Sequence, residues 1–167
     1  MPKRRSNWNY RGRGYYFVTL TTQNKVHWFG RIENAKPVLS EIGKIAEKNW
    51  LAIPEHFPEI VLEDYVIMPN HIHGIVGIQK TSTKIREIPE DGRDKKMSAI
   101  APQKGSLSVA IRSYKSSVTR EARLQEPDFV WSRGFHDHPI YPVEAMTGVV
   151  RYIRNNPLKW EEKRKKR

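Results

Sequence analysis

Apolar and polar positions along Leu62-Glu63-Asp64-Tyr65-Val66-Ile67-Met68-Pro69-Asn70-His71-Ile72-His73-Gly74-Ile75-Val76 set the reading of the whole chain. Two apolar runs flank Met68-Pro69-Asn70, and a Pro-Asn step favours a turn, so the stretch predicts two strands at 59–68 and 71–78. Before it, Tyr15 to Thr22 is dense in β-branched and aromatic residues and reads as a strand. Gln23-Asn24-Lys25 turns that strand, and 26–32 is a short return. From Val38 the apolar positions Val38, Ile42, Ile45, Ala46, Trp50 and Ile53 follow a helical period up to Pro54. Residues 79–105 show no periodicity and read as a mobile surface loop. A second helix follows a Ser106 cap, with Leu107, Ile111, Tyr114 and Val118 on one stripe. The segment 129–140 is extended and carries His136 and His138; a third helix runs over 143–155 and stops at Pro157. The order β(β)αββαβα predicts an α+β sandwich, one antiparallel sheet with helices packed on one face and the other face partly open.

Chemistry enters at the strand 71–78. Side chains alternate across a strand, so His71 and His73 share a face while Ile72 points away. Two imidazoles about 7 Å apart along one face can converge on a metal ion. Two exposed histidines on a half-polar strand would give the same pattern. On the third helix, Val143, Met146, Val149, Val150 and Ile153 form the core stripe, and Ala145, Gly148, Tyr152 and Asn156 a row on its flank. Small residues at 145 and 148 would clear space beside Tyr152, with Asn156 one turn on. A His71–His73–Asn156 metal site with Tyr152 as the adjacent nucleophile follows. The competitor, Tyr114, lies at the centre of an apolar stripe, where a tyrosine packs into a core. The plain alternatives are an amphipathic edge residue for Tyr152 and a helix end before Pro157 for Asn156.

The 167 residues suit one domain, with 38% apolar residues for its core. There is no 18-residue apolar run for a membrane span, and the N-terminus lacks the apolar core of a signal peptide. Absence of cysteine excludes disulfides and thiolate chemistry and fits a cytoplasmic, nucleoid-associated protein. The net charge of +12 is unevenly placed. Residues 1–14, a basic arm, carry five basic residues and no acid; 151–167 carry eight basic and two acidic; the middle has 17 basic and 16 acidic. Basic ends interleaved with Trp8, Tyr10, Tyr15 and Trp160 suit phosphate contact plus base stacking. Lys3, Arg4, Arg5, Trp8, Arg11, Arg13, Lys115, Arg151, Arg154, Lys163, Arg164 and Lys165 are the candidate DNA contacts, the last three in a basic tail spanning 158–167.

Tyr-Val-Ile-Met-Pro-Asn-His-Ile-His-Gly at 65–74, Tyr-Ile-Arg-Asn-Asn-Pro at 152–157, Thr-Leu-Thr-Thr at 19–22 and Lys115-Ser116 together resemble the REP-associated tyrosine transposases, single-tyrosine HUH endonucleases. The resemblance spans nearly the whole chain. It implies a ferredoxin-like fold with the His pair on a central strand, Tyr152 as nucleophile and Asn156 as third metal ligand. The family often has a Tyr-Tyr-Glu-His-Ile-Ile type segment where this chain reads Phe135-His136-Asp137-His138-Pro139-Ile140, which leaves His136 and His138 without an assigned role.

A phenol, with a pKa of about 10, is a poor nucleophile at neutral pH. A divalent ion, Mg²⁺ or Mn²⁺, polarises a scissile phosphate and orients it for in-line attack. The expected product is a 5′-phosphotyrosine with a free 3′-hydroxyl on single-stranded DNA, with a hairpin as the recognition element and the protein a monomer or homodimer. Two other classes stay open: a non-catalytic nucleic-acid-binding module with a ferredoxin-like sheet, and, last, a zinc hydrolase, for which the His pair lacks a flanking acid.

Overall fold

A computed structural model describes residues 14–79 and 107–166. Residues 1–13, 80–106 and 167 lie outside the described residues, and with them the basic arm 1–14 except Gly14, the loop 79–105 except Gln79, and the Ser106 cap. Four antiparallel strands form the main sheet: β1 (Gly14–Thr21), β4 (Ile60–Met68), β5 (His71–Ile78) and β6 (His136–Pro139), in the order β4-β5-β1-β6. A separate hairpin joins β2 (Gly30–Glu33) to β3 (Lys36–Leu39). The helices are α1 (Glu41–Leu51), the short α2 (Ile53–His56), α3 (Leu107–Ala122) and α4 (Met146–Lys165). This is an α+β, antiparallel-sheet architecture. No helix among the described residues is long and apolar enough to cross a membrane.

The period-2 pattern of β1 divides the molecule. Tyr16, Val18 and Leu20 are fully buried on one face, with Ile72 and Val76 of β5. Against them pack α1, through Ile42, Ala46 and Trp50, and α3, through Leu107, Ala110, Ile111, Tyr114 and Val118. These spacings of three and four residues are those of one helical stripe. Ser40 caps α1, its Oγ accepting from Gly43 N at 3.1 Å and donating to the Trp28 carbonyl at 2.6 Å. Trp50 explains Gly74: a Cβ there would stand 2.3 Å from Cζ2 of the indole. The other face carries Phe17, Val66, Met68 and Ile75, covered by α4 through Ile153 with Met146, Val149, Val150 and Trp160.

Four differences from the sequence expectations have physical causes. Asn34 and Ala35, at φ of 50° and 56°, form a two-residue turn that folds β2 onto β3, in place of one short return strand. Because Val38 and Leu39 pair in that hairpin, α1 begins at Glu41. Only His136–Pro139 of the segment 129–140 pairs as a strand, with Trp131 adding an isolated bridge to Thr22. Lastly, α4 runs through Pro157 to Lys165, so 158–165 form the last turns of a helix rather than a tail. An internal proline gives up the hydrogen bond to the carbonyl four residues back, here Ile153. The Pro157 ring is buried, and Trp160 packs on the same apolar cluster, so tertiary contacts carry the helix across the break.

Candidate active site

β5 holds His71 and His73 on the face that α4 covers, and their rings stand 4.6 Å apart, centroid to centroid. α4 crosses this face so that successive turns meet successive rings. Tyr152 lies edge-on to His73 at 5.5 Å and to Phe17 at 5.8 Å. One turn later Asn156 comes beside His71, where its side chain favours the charged imidazole, and Trp160 follows at 5.8 Å from the same ring. The four residues that the sequence selects for metal and nucleophile are therefore brought together within one chain. Tyr152 is 43% exposed. Tyr114 is buried on the far face, donating to the Ala46 carbonyl at 3.0 Å, and its phenol is pushed well up by burial. Gly148 has nothing within 4 Å of where a Cβ would stand, so it is not what makes room for Tyr152.

Each imidazole is held by its Nδ1. Asn70 Oδ1 lies 2.6 Å from Nδ1 of His71, and Thr19 Oγ1 lies 2.9 Å from Nδ1 of His73. Thr19 reaches His73 because the β1–β5 register sets them directly opposite. Phe17, two residues back on the same face, stacks on the His73 ring at 5.1 Å. Burial lowers the His71 pKa to about 4, a shift partly offset by the Asn156 hydrogen bond and reinforced by the Lys25 charge. Burial and then the neighbouring His71 lower His73 to about 3. Both rings are neutral at pH 7, the state in which imidazole binds metals. Among the described residues no three His, Cys, Asp or Glu side chains cluster as a metal site; the groups that could hold an ion are the two imidazoles and the Asn156 amide beside His71. Orienting partners on both Nδ1 atoms hold the rings, and neutral imidazole nitrogen with amide oxygen suits Mn²⁺ or Mg²⁺.

The remaining candidates divide. Arg151, Lys163, Arg164 and Lys165 are exposed along α4. Arg154 is tied to Asp64 at 2.7 Å. Asp64 sits at a register shift in β4, between Leu62 and Tyr65, and the ion pair fixes α4 to the sheet edge. The Lys115 ammonium donates to the carbonyls of Ser132 and Gly134 at 2.8 and 2.7 Å and lies 5.7 Å from the Trp131 ring centroid. It holds the segment leading into β6, and burial lowers its pKa. Lys3, Arg4, Arg5, Trp8, Arg11 and Arg13 lie outside the described residues. His136 and His138 are exposed and pair with Thr19 and Phe17, which places them on the same sheet face as the His71–His73 pair, one strand beyond β1. Sequence reasoning passed over Lys159, whose ammonium lies 5.6 Å from the Tyr152 ring centroid. Its spacing of seven residues from Tyr152 was the available signal. It also read Asn70 only as a turn residue and Thr19 only as part of a strand, since their bonds to the histidines depend on tertiary contacts.

Comparisons with known proteins bear on the family and the fold. No protein-family model matches the chain. An uncharacterized protein of Haemophilus influenzae is 34% identical over 163 residues, covering 95% of this chain and 88% of that protein. A REP-associated tyrosine transposase solved bound to a REP hairpin superposes with a TM-score of 0.60 at 17% identity, over 95% of this chain and 74% of the other. A putative transposase from Deinococcus radiodurans gives a TM-score of 0.49 at 13% identity, over 93% and 97% of the two chains. The chain thus belongs to one family with the Haemophilus influenzae protein, and its fold is that of the REP-associated tyrosine transposase.

Proposed function

We propose that the protein is a REP-associated tyrosine transposase: a DNA nicking and joining enzyme that cleaves single-stranded DNA next to a hairpin through Tyr152. The observation that carries this reading is the meeting of Tyr152, His71, His73 and Asn156 on one sheet face, with the phenol the exposed member. The motif resemblance and the hairpin-bound relative in fold support the same substrate. The exposed basic residues of α4 and the basic N-terminal arm supply phosphate contacts.

His71, His73 and Asn156 would hold a divalent ion, which when bound withdraws charge from a non-bridging oxygen of the scissile phosphate. Tyr152 supplies the nucleophile. Its oxygen forms a bond to phosphorus, the bond from phosphorus to the 3′-oxygen breaks, and the phenolic proton ends on the 3′-hydroxyl that departs. A 5′-phosphotyrosine results. Attack by a 3′-hydroxyl reverses the step, returns the proton to the phenol and joins the strands without an external energy source. Lys159, near the phenol ring, adds positive charge where the phosphate approaches. The hydrogen bonds on Nδ1 keep the two rings from turning as charge develops.

The test is incubation with single-stranded DNA hairpins and Mn²⁺, followed by denaturing electrophoresis. A covalent protein–DNA adduct that requires both the ion and Tyr152 supports the reading. Hairpin binding with no adduct in any metal would leave a nucleic-acid-binding module instead.

A further inference from the structure

Asn70 stands between two groups that together dictate how its amide points. Its Nδ2 lies 3.2 Å from the Lys25 carbonyl, and its Oδ1 lies 2.6 Å from His71 Nδ1. A backbone carbonyl only accepts, so the NH₂ end must face Lys25. The oxygen then faces His71, and an amide oxygen only accepts, so the proton of that hydrogen bond sits on Nδ1. A neutral imidazole with its proton on Nδ1 carries its lone pair on Nε2, the nitrogen through which it would bind an ion. The anchor on the other side is as well built. The Asn70 carbonyl accepts from Thr22 N at 2.9 Å and from Thr22 Oγ1 at 3.0 Å. Thr22 Oγ1 also lies 2.7 Å from the Val26 carbonyl, and Phe29 N donates to the Pro69 carbonyl at 2.9 Å. The loop after β1 thus grips the turn before β5 at both ends. Within that loop Asn24 and Lys25 have φ of 54° and 55°, a region that L side chains disfavour, and this conformation aims the Lys25 carbonyl at Asn70.

His73 has no such constraint. Its Nδ1 partner is the Thr19 hydroxyl, which can donate or accept and rotates to suit either tautomer.

We infer that Asn70 is a positioning residue for the metal site: locked by the Lys25 carbonyl, its amide oxygen fixes His71 in the tautomer that presents Nε2 to the ion. The part concerning the ion rests on the proposed metal role of His71; the part concerning the tautomer does not. The hydrogen bond between the two side chains thus links the 22–29 loop to the reaction centre. The loop touches the site again at His27, whose ring is 5.5 Å from Trp160.

Long-range ¹H–¹⁵N correlation on the full chain with ¹⁵N-labelled histidine, in EDTA at pH 7.5, reads the tautomer directly. The wild type should show His71 as a single form with a protonated Nδ1. An Nε2-protonated or mixed ring overturns the inference with no variant needed. Asn70→Ala should give His71 a mixture of tautomers, leave His73 unchanged and weaken Mn²⁺ binding by about 10–100-fold, followed by paramagnetic broadening of the two rings. Asn70→Asp keeps the acceptor but loses the bond to the Lys25 carbonyl. It should retain the Nδ1-protonated ring and Mn²⁺ affinity within a few fold, although its melting temperature falls. Were the residue merely a structural tie, the Asp variant would fare no better than the Ala variant, and that result also overturns the inference. If Mn²⁺ fails to broaden either ring in the wild type, the metal reading falls while the tautomer result stands on its own.

Discussion

The two faces of the sheet use the same residue types to opposite ends. On the α1–α3 face a tyrosine, Tyr114, is buried, donates its hydroxyl to the Ala46 carbonyl and meets Trp50 edge-on at 5.4 Å. On the α4 face a tyrosine, Tyr152, sets its ring against His73 and Phe17 and stays 43% exposed. Aromatic packing holds both rings. What differs is exposure: one side chain is sealed in the core with its hydroxyl on a backbone carbonyl, and the other remains partly open to solvent. Buried polar groups are satisfied inside a core, whereas the side chain proposed as nucleophile is left partly accessible.

The largest test exchanges the two tyrosines. Tyr152→Phe should abolish the covalent DNA adduct and leave hairpin affinity and thermal stability near those of the wild type. Tyr114→Phe should keep the adduct while costing about 1 kcal/mol of stability, the usual net value of one buried hydrogen bond. Adduct formation surviving in the first and vanishing in the second would reverse the assignment of the faces.

Replacing His71 or His73 with alanine should remove cleavage with little loss of DNA affinity, because affinity rests on phosphate contacts elsewhere. EDTA should act in the same way and reversibly. Full cleavage in EDTA would separate the histidines from any metal role.

Proton linkage distinguishes the faces in the absence of metal. The pKa values of His71 and His73, about 4 and about 3, lie below the unfolded value near 6.5, so between these limits the unfolded chain binds protons that the folded chain refuses. Their contribution is complete above pH 6.5 and is lost as the pH falls toward the folded values. Denaturant unfolding in EDTA should show a fall of the order of 2 kcal/mol per histidine between pH 6.5 and 5. The double variant His71→Ala/His73→Ala should lose that portion of the slope.

Gly74 sits where the faces touch, next in sequence to His73 but under Trp50 on the other side. Gly74→Ala should destabilise by about 1–3 kcal/mol through overpacking against the indole, read from urea midpoints. Retained Mn²⁺-dependent cleavage below the new midpoint would show that the clash stays on the core face.

The smallest effect is reserved for the end of α4. Removing Lys163 to Arg167 should weaken hairpin binding and make its salt dependence shallower, by about 0.7 in log–log slope for each phosphate of single-stranded DNA that these residues neutralise. A salt titration against the full chain decides it, and superimposable slopes would leave these residues without a part in binding.

Much of this was present in the sequence because it depends on local period. Alternation in β5 places His71 and His73 on one face whatever the strand packs against, and helical spacing places Tyr152 and Asn156 on one flank. The stripe around Tyr114 marked it as core in the same way. Local period does not extend to contacts made across the chain. The hydrogen bond from the Asn70 amide to the Lys25 carbonyl spans 45 residues, that between Thr19 and His73 spans 54, and the Arg154–Asp64 bond spans 90. No spacing rule predicts them, since they arise only when strand register and helix docking are set together. The passage of α4 through Pro157 is of this kind, because the local rule against an internal proline is overruled by burial of its ring. The sequence by itself determined the two halves of the site, a His pair on a strand and a Tyr–Asn pair on a helix. Tertiary structure decided that one chain holds both, that α4 lies across β5 so that Tyr152 meets His73 and Asn156 meets His71, and which loop orients the imidazoles, because packing energy depends on which surfaces meet.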